Sequence, residues 1–251
     1  MKITKIAVLI PTYNESENLP PLMQGLSLVS ASLRDIHFAV YIIDDASPDG
    51  TASLAKTLNE SLQSAHLQIN VIHRAQKQGL GKAYIDGFKR MLSVEDPPQF
   101  VIQMDADLSH QPEYITAFVD AARTGADFVV GTRYKPGGGC PDWSWYRKIL
   151  STGGNTYARW LLGRRITDYT GGFNMYSFVI LNAIRWDALD SAGYGFLIDL
   201  KYQAQKLSSK IAEVPIQFLD RQYGQSKMPL NTILKNFLLV LRIKIKDTVF
   251  K

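Results

Sequence analysis

Residues 100–110 read Phe-Val-Ile-Gln-Met-Asp-Ala-Asp-Leu-Ser-His, an apolar run that ends abruptly in polar residues. The same pattern, an apolar run followed directly by polar residues, occurs three times earlier in the chain. Apolar runs at Ile6–Ile10, Phe38–Ile43 and Ile69–Ile72 end in Pro-Thr-Tyr-Asn-Glu (11–15), Asp44-Asp45 and His73-Arg74, respectively. Apolar runs of this length, without alternation, are typical of strands buried on both faces of a parallel sheet. We therefore predict strands at these runs and at Phe100–Met104, with a fifth at Asp127–Val130.

The segments between these runs have the spacing of helices. Apolar residues recur three and four positions apart, as in Leu19, Leu22, Met23, Leu26 and Val29. Helix starts are predicted at Asn14, at Asp49-Gly50-Thr51 and at Ser109 ahead of Pro112. Alternating strands and helices predict a single Rossmann-like α/β domain with a mostly parallel central sheet covered on both faces. Ligands of such sheets bind beyond the carboxyl ends of the strands, so the polar residues there are expected to line one crevice.

Composition excludes several classes of protein. The chain has 251 residues and one cysteine, so an intrachain disulfide is impossible, and the four histidines show no zinc-ligand spacing. No apolar stretch approaches the roughly 20 residues of a membrane span. The net charge is +5, and most of the basic excess lies in the last 23 residues. This distribution argues against a nucleic-acid-binding face on the main domain and favours an anionic partner, such as phospholipid headgroups, near the C-terminus.

The C-terminal residues 229–251 form a predicted basic amphipathic helix, separate from a main domain of residues 1–228. One face is apolar and consists of Leu230, Ile233, Leu234, Phe237, Leu238, Leu241 and Ile245. The other gathers Asn231, Lys235, Arg242 and Lys246, whereas Leu239 and Ile243 fall at the margins. The apolar face could pack on the domain or contact a membrane, and the sequence leaves both readings open.

The acidic pair at residues 105 and 107 is a candidate metal site. Asp105 and Asp107 are two positions apart at the end of a predicted strand, so both side chains are expected to point to the same side. Their mutual repulsion would be relieved by a cation, and hard oxygen ligands favour Mg²⁺ or Mn²⁺. An acid-x-acid triplet also arises by chance, as in Glu15-Ser16-Glu17. The position at a strand end, opposite Asp44-Asp45, is what favours Asp105 and Asp107.

Seven ordered segments carry a resemblance to a known family. They are Ile10–Glu15, Ile43–Thr51, Gly79–Gly81, Met104–His110, Gly131–Tyr134, Asp168–Phe173 and Arg221–Lys227. Across about residues 6–228 the chain resembles the family 2 glycosyltransferases of GT-A fold, and more narrowly the dolichyl- or polyprenyl-phosphate mannose synthases. The resemblance implies transfer of a hexose, mannose from GDP-mannose, to a polyprenyl phosphate at a membrane surface.

The resemblance also implies roles for individual residues. Those expected to bind the donor are Pro11, Tyr13, Glu15, Ile43, Asp45, Asp105, Ala106, Asp107, Arg133, Arg221 and Lys227. Asp107 is the implied ligand of a Mg or Mn cation, and Ser109, a weaker neutral ligand, stands where relatives have Gln or Ser. Arg133 and Arg147 are the implied contacts of the acceptor phosphate. Asp199, where many relatives carry glutamate, completes the predicted catalytic set.

These roles predict an inverting reaction without a general base. A phosphate monoester has its second pKa near 6, so it is already a dianion at neutral pH. The enzyme then has to hold it against the donor diphosphate, and a planar guanidinium suits that task. The predicted partners are a nucleotide-sugar donor, a polyprenyl phosphate, and either a membrane surface or a small membrane-spanning subunit, with no nucleic acid. The expected location is cytoplasmic and peripheral, on the cytoplasmic face of the plasma membrane or of the endoplasmic reticulum.

Three alternatives remain open at this stage. A UDP-sugar donor, such as one for polyprenyl-phosphate glucosylation, needs the same fold. A noncatalytic nucleotide-sugar-binding subunit would not require the metal ligand, so the presence of both Asp105 and Asp107 argues against it. A nucleotidyltransferase would need a glycine-rich phosphate-binding loop after the first strand, which is missing. Processive polysaccharide synthesis is disfavoured because no Gln stands three residues before Arg159-Trp160 or Arg185-Trp186.

Overall fold

The computed structural model describes residues 2–189, 194–220 and 230–249. The strands are β1 Lys5–Thr12, β2 His37–Asp44, β3 Leu67–His73, β4 Phe100–Gln103, β5 Phe128–Thr132, β6 Asn174–Ser177 and β7 Ile211–Pro215. The helices are α1 Leu19–Ser32, α2 Thr51–Leu62, α3 Leu80–Ser93, α4 Tyr114–Arg123, α5 Trp145–Leu162, α6 Phe178–Ala183, α7 Tyr194–Leu207 and α8 Leu230–Val249, with a short 3-10 helix at Trp186–Ala188. All five predicted strands are present.

The seven strands form one sheet in the order β3-β2-β1-β4-β6-β5-β7. Only β6 runs against its neighbours β4 and β5, and every other pairing is parallel. The predicted α/β class with a mostly parallel sheet is therefore confirmed. The carboxyl ends of β1, β2, β3 and β4 lie at the same edge, as expected of parallel neighbours.

Two hydrophobic cores lie on opposite faces of the sheet. The first is closed mainly by α1, α2 and α4 and contains the predicted face of α1, including Leu22, Met23 and Leu26. The second is closed by α3, α5, α6, α7 and part of α8. Gly87 of α3 lies so close to β2 that an added Cβ would come within 2.4 Å of the side chain of Ile43. This close packing fixes α3 against the strand whose end carries Asp44 and Asp45.

Three details differ from the sequence-based predictions. The fourth strand ends at Gln103 rather than Met104, so Asp105 and Asp107 lie in the following bend. The two-residue periodicity of a strand therefore does not apply to them. The first helix begins at Leu19 and not near Asn14, because Asn14 adopts a left-handed φ of 59°. The short strands β6 and β7 were not predicted, since Asn-Met-Tyr-Ser has neither an aliphatic run nor alternation and Ile-Ala-Glu-Val-Pro is interrupted by Glu213. In the described residues, no helix is long and apolar enough to span a membrane.

Candidate active site

The loops after β1 and β2 are joined to one another at the carboxyl edge of the sheet. The backbone N–H of Asn14 donates to Oγ of Ser47 at 3.1 Å, and that of Glu15 donates to Oγ1 of Thr51 at 3.0 Å. Glu15 also accepts a hydrogen bond from the side-chain amide of Asn18 at 2.6 Å. The structure thus brings two predicted nucleoside contacts, Tyr13 and Glu15, next to the loop that follows Asp45.

Asp45 is buried, and its carboxylate is bonded within the chain. It forms an ion pair with Arg74 and accepts the backbone N–H groups of Gln78 at 3.0 Å and Gly79 at 2.7 Å. Gly79 immediately precedes α3, so the carboxylate lies at the positive end of that helix dipole. In this arrangement Asp45 orders the segment between β3 and α3. Its predicted contact with a nucleoside stays a prediction.

Three other predicted donor contacts lie in the protein interior. Ile43 has no solvent exposure and belongs to the second core, and Ala106 is 3% exposed and belongs to the first. Pro11 is likewise buried, near the end of β1. The predicted contacts of these three residues with a nucleotide stay predictions.

Asp107 and Ser109, the two predicted metal ligands, are in direct contact. The Ser109 hydroxyl donates to Oδ1 of Asp107 at 2.5 Å, and the Ser109 backbone N–H donates to the same oxygen at 3.2 Å. Leu108 between them has a φ of 62°, which turns the backbone back on itself. Both residues are buried, so this pair is fixed before any ligand arrives.

The donor set fits a hard divalent cation. Asp107 and Ser109 offer oxygen atoms only, which suits Mg²⁺ or Mn²⁺ and not a soft metal. No group of three or more acidic, histidine or cysteine side chains that could hold a metal occurs in the described ranges. A protein site with few ligands is usual for Mg²⁺, which takes its remaining ligands from substrate phosphates and water.

His110 and Tyr84 hold Asp105 in place. The backbone N–H of Asp105 donates to Nδ1 of His110 at 3.0 Å, and the Tyr84 hydroxyl lies 3.1 Å from Oδ1 of Asp105. Burial lowers the pKa of His110, so the imidazole is neutral. Because Nδ1 accepts the Asp105 N–H, the ring proton is on Nε2. Burial and the Asp105 charge raise the pKa of Tyr84 well above its usual value, which keeps the phenol protonated as a donor. No role was predicted for either residue.

Arg133 forms a buried bidentate ion pair with Asp168. Its Nε and Nη2 donate to the two carboxylate oxygens at 2.8 and 2.9 Å, and Nη2 also donates to Oγ1 of Thr170 at 2.7 Å. Burial alone would raise the pKa of Asp168, but the Arg133 guanidinium holds it well below its usual range. The fork that was expected to clamp the acceptor phosphate is therefore occupied by Asp168. At most the two N–H groups of Nη1 remain for an anion.

Lys201 is a buried cation that the sequence interpretation missed. It has no solvent exposure, and its Nζ donates to the backbone carbonyl of Asp168 at 2.8 Å. Burial lowers the pKa of Lys201 to about 8, although the Asp168 charge opposes this shift. A sequence signal was available, because Lys201 follows the buried residues Leu197 and Ile198 by four and three positions and so lies on the core face of α7.

Arg147 lies on the surface beside Arg133. Its guanidinium carbon lies 3.9 Å from the ring centroid of Trp143, and that of Arg133 lies 5.5 Å from the same centroid. Nη1 of Arg147 also pairs with Asp220 at 3.0 Å, and both side chains are partly exposed. The structure therefore brings the two predicted acceptor arginines to one indole ring. An exposed ion pair of this kind contributes little to stability, which leaves Arg147 able to exchange Asp220 for another anion.

The acidic bend and the arginine pair belong to one site. The segment Asp168–Phe173 spans both, since Asp168 binds Arg133 and an added Cβ on Gly172 would lie 3.1 Å from Oδ2 of Asp105. The His110 ring lies 5.5 Å from that of Phe218, which in turn lies 5.5 Å from the Arg133 guanidinium carbon. The site thus has an acidic end at Asp105 and Asp107 and a cationic end at Arg133 and Arg147, connected through these contacts.

Three further predicted residues remain, Asp199, Arg221 and Lys227. Asp199 is buried in α7, where Nε2 of Gln203 lies 3.5 Å from its Oδ1. Arg221 and Lys227 lie outside the described residues. Their predicted contacts with the donor diphosphate stay predictions.

Comparison with known proteins shows which family the chain belongs to. The model of glycosyl transferase family 2 matches residues 7–185. Undecaprenyl-phosphate mannosyltransferase of Micrococcus luteus is 42% identical over 89% of this chain and 87% of its own length. Polyprenol monophosphomannose synthase of Mycolicibacterium smegmatis is also 42% identical, over 88% of this chain and 80% of its own.

Solved structures show the same fold at low sequence identity. Glucosyl-3-phosphoglycerate synthase of M. tuberculosis superposes with a TM-score of 0.60 at 19% identity, over 97% of this chain and 80% of its own. Mannosyltransferase PcManGT from Pyrobaculum calidifontis, solved in complex with GDP-Man and Mn²⁺, gives 0.59 at 14% identity, over 96% and 73%. The GT-A fold expected from the sequence is confirmed.

Proposed function

The chain belongs to glycosyl transferase family 2, and on that premise we propose that it transfers mannose from GDP-mannose to a polyprenyl phosphate with inversion at the anomeric carbon. The observation that carries the proposal is the 42% identity to two curated mannosyltransferases with polyprenyl-type acceptors, over nearly nine tenths of the chain. The fold neighbour solved with GDP-Man and Mn²⁺ supports the choice of donor.

At the acidic end of the site, Asp107 and Ser109 would hold the divalent cation. The cation, when bound, supplies positive charge that stabilises the departing diphosphate. The hydrogen bond from Ser109 fixes the orientation of the Asp107 carboxylate. The bond that the Asp105 backbone N–H donates to His110 and the bond from the Tyr84 hydroxyl fix the bend at Asp105. Groups held in place before substrate binds need no reorganisation during the reaction.

At the cationic end, Arg147 and the Nη1 edge of Arg133 would bind the acceptor phosphate. A phosphate oxygen attacks the anomeric carbon, the bond from that carbon to the diphosphate breaks, and its electron pair leaves with GDP. The attacking dianion carries no proton, so the step needs no general base. Among the described residues, the task falls to cations that hold two like-charged phosphates near one another. Asp199 remains a proposed member of the catalytic set.

The proposal is tested by transfer from a panel of radiolabelled nucleotide sugars. Purified protein is incubated with GDP-mannose, UDP-glucose or UDP-N-acetylglucosamine, with Mg²⁺ or Mn²⁺, and with polyprenyl phosphate or free polyprenol. We expect label in the lipid phase only with GDP-mannose and the phosphorylated acceptor. Labelling from a UDP-sugar instead would identify the alternative donor. Equal use of free polyprenol would refute the dianion mechanism.

We further propose a location at the surface of a membrane, on its cytoplasmic side, and the membrane contact follows from the proposed acceptor. A polyprenyl phosphate resides in a bilayer, so the cationic end of the site has to meet its headgroup there. The contact could be made with the lipid directly or through a small membrane-spanning subunit.

A further inference from the structure

The indole ring of Trp143 contacts both arginines of the cationic end. Its centroid lies 3.9 Å from the guanidinium carbon of Arg147 and 5.5 Å from that of Arg133. An aromatic ring attracts a guanidinium through the negative face of its π system, and Trp does so more strongly than Tyr or Phe. The ring holds the cation without cancelling its charge, whereas a carboxylate partner cancels it. A guanidinium supported by Trp143 therefore still attracts a phosphate.

The indole N–H of Trp143 takes no part in fixing the ring. Its Nε1 is shielded from solvent and has no hydrogen-bond partner among the described residues. A buried Trp N–H normally finds an acceptor, as in Trp186, whose Nε1 donates to the backbone carbonyl of Leu181 at 3.0 Å. The position of Trp143 therefore depends on the contacts of its ring rather than on a hydrogen bond from its side chain.

The loop that carries Trp143 is fastened to the segment after β7. The backbone N–H of Gly139 donates to the carbonyl of Ile216 at 3.0 Å, and that of Phe218 donates to the carbonyl of Gly139 at 2.9 Å. The rings of Trp143 and Phe218 then meet edge to face, with centroids 5.6 Å apart and planes 75° apart. Because these contacts fix the loop ahead of α5, the indole is a pre-formed support for Arg147, four positions along the chain.

Arg147 depends on such a support because its ion pair is exchangeable. The side chain of Arg147 is 37% exposed, and that of its partner Asp220, 3.0 Å away, is 46% exposed. A phosphate that binds Arg147 competes with this carboxylate. An arginine held by the ion pair alone would become mobile as the pair opened, and its rotamer entropy would oppose binding. The contact with the indole does not involve Asp220, so it keeps the guanidinium in place when the phosphate arrives.

We infer that Trp143 is a positioning residue for the acceptor phosphate, acting through its ring on Arg147 and, at the longer distance, on Arg133. The inference rests on the proposed function, which assigns these two arginines to that phosphate. The Trp143 ring also begins a row of contacts that continues through Phe218 to His110 at the acidic end of the site. The same ring thus connects the acceptor cations with the acidic bend.

Binding of a short-chain, water-soluble prenyl phosphate to the full-length protein tests this inference without sugar transfer and without a membrane. Isothermal titration calorimetry gives the Kd for the wild type, for Trp143→Leu, which has no ring, and for Trp143→Phe, which keeps a weaker π face. Trp145→Leu is the matched control, because Trp145 is 74% exposed and its ring pairs with that of Tyr146, 6.3 Å away. Circular dichroism verifies that each variant is folded.

We expect Trp143→Leu to raise the Kd of the prenyl phosphate roughly tenfold, and Trp143→Phe to raise it about threefold, following the attraction of each side chain for a guanidinium. Trp145→Leu should keep the wild-type Kd. In steady-state transfer assays, the KM of the acceptor should rise in the same order while the KM of the nucleotide-sugar donor stays unchanged. A general loss of structure would change both KM values.

The variant Arg147→Met shows whether the ring acts through Arg147. The coupling between two residues in contact is present only when both are present. In the Arg147→Met background, Trp143→Leu should therefore raise the Kd about twofold or less, the remainder acting through Arg133.

The inference would be overturned if Trp143→Leu bound the prenyl phosphate as tightly as the wild type, or if Trp143→Phe lost as much affinity as Trp143→Leu. It would also be overturned if the loss caused by Trp143→Leu were as large in the Arg147→Met background. Should Trp143→Leu fail to fold, a wild-type Kd for Trp143→Phe decides against the inference.

Failure of the proposed function gives different results. A wild type that binds the prenyl phosphate in a Trp143-dependent way but transfers no mannose to it would refute the proposed reaction and leave the inference standing. A wild type that binds no prenyl phosphate would refute the proposed acceptor and the inference together.

Discussion

The buried pair between Arg133 and Asp168 allows a prediction whose magnitude follows from the structure. In Asp168→Asn, a neutral amide replaces a carboxylate that accepts Nε and Nη2 of Arg133 at 2.8 and 2.9 Å and the backbone N–H groups of Thr170 at 3.0 Å and Gly171 at 2.9 Å. The amide has one oxygen for these donors, and its NH₂ group would face others. Removing one partner of a buried ion pair typically costs about 3–5 kcal/mol, because the remaining charge stays buried.

The assay is urea unfolding followed by circular dichroism at pH 7, with Asp220→Asn as the control. That substitution breaks the exposed pair with Arg147 and should cost less than about 1 kcal/mol. The double variant Asp168→Asn/Arg133→Gln should recover part of the loss, since it no longer leaves the Arg133 guanidinium buried without its partner. If Asp168→Asn destabilised the protein no more than Asp220→Asn does, the pair would not hold the site together.

The pH dependence has a definite sign. The pKa of Asp168 is lower in the folded protein than in the unfolded chain, where it is about 3.9. The stability that this carboxylate contributes is therefore complete above about pH 4 and is lost as the pH falls through the folded pKa. The difference in stability between wild type and Asp168→Asn should shrink below pH 4.

Three further predictions concern single residues. Asp107→Asn should lower turnover by orders of magnitude, because the cation loses a charged ligand. The melting temperature should not change, because the amide oxygen can still accept from Ser109. Asp120→Asn on α4 is the control, and full activity of Asp107→Asn in EDTA would contradict the metal assignment. Arg133→Lys keeps the charge but loses the fork, so it should lower both stability and kcat/KM for the acceptor, and wild-type values of both would contradict this. Lys201→Met should change the alkaline melting profile. The pKa of Lys201 is about 8 in the folded state and about 10.4 in the unfolded chain, so the unfolded chain binds more protons between these pH values. The stability of the wild type should therefore rise relative to that of Lys201→Met as the pH increases from about 8 to about 10.4. A stability difference that does not change with pH would contradict the burial of a titrating amine.

The five strands β1 to β5 could be predicted because they depend on local sequence. Buried parallel strands are unbroken apolar runs, and the polar residues after them have to lie at one edge of the sheet. The strand periodicity expected of Asp105 and Asp107 was wrong, and the contact of Asp107 with Ser109 was not predicted. Both lie in a bend with a left-handed residue at Leu108, and not on an extended strand.

Other features depend on contacts between distant residues and could not be predicted in this way. The partner of Arg133 lies 35 positions along the chain, so the occupation of its fork by Asp168 has no local signature. Periodicity identifies the apolar face of α8 but not the direction in which it points, which depends on how Val240 and Ile243 fit the second core. Lys201 is the exception, since a lysine on the core face of a helix can be recognised from spacing alone.

The central claim is tested most directly by the product formed from GDP-mannose labelled with ¹³C at the anomeric carbon. Purified protein, polyprenyl phosphate and Mg²⁺ or Mn²⁺ are combined, and the lipid fraction is analysed by NMR. The account predicts a single new mannosyl phosphate in which the α configuration of the donor has become β, because the acceptor oxygen attacks from the face opposite the diphosphate. A product with the α configuration, or release of free mannose with an unaltered acceptor, would contradict it.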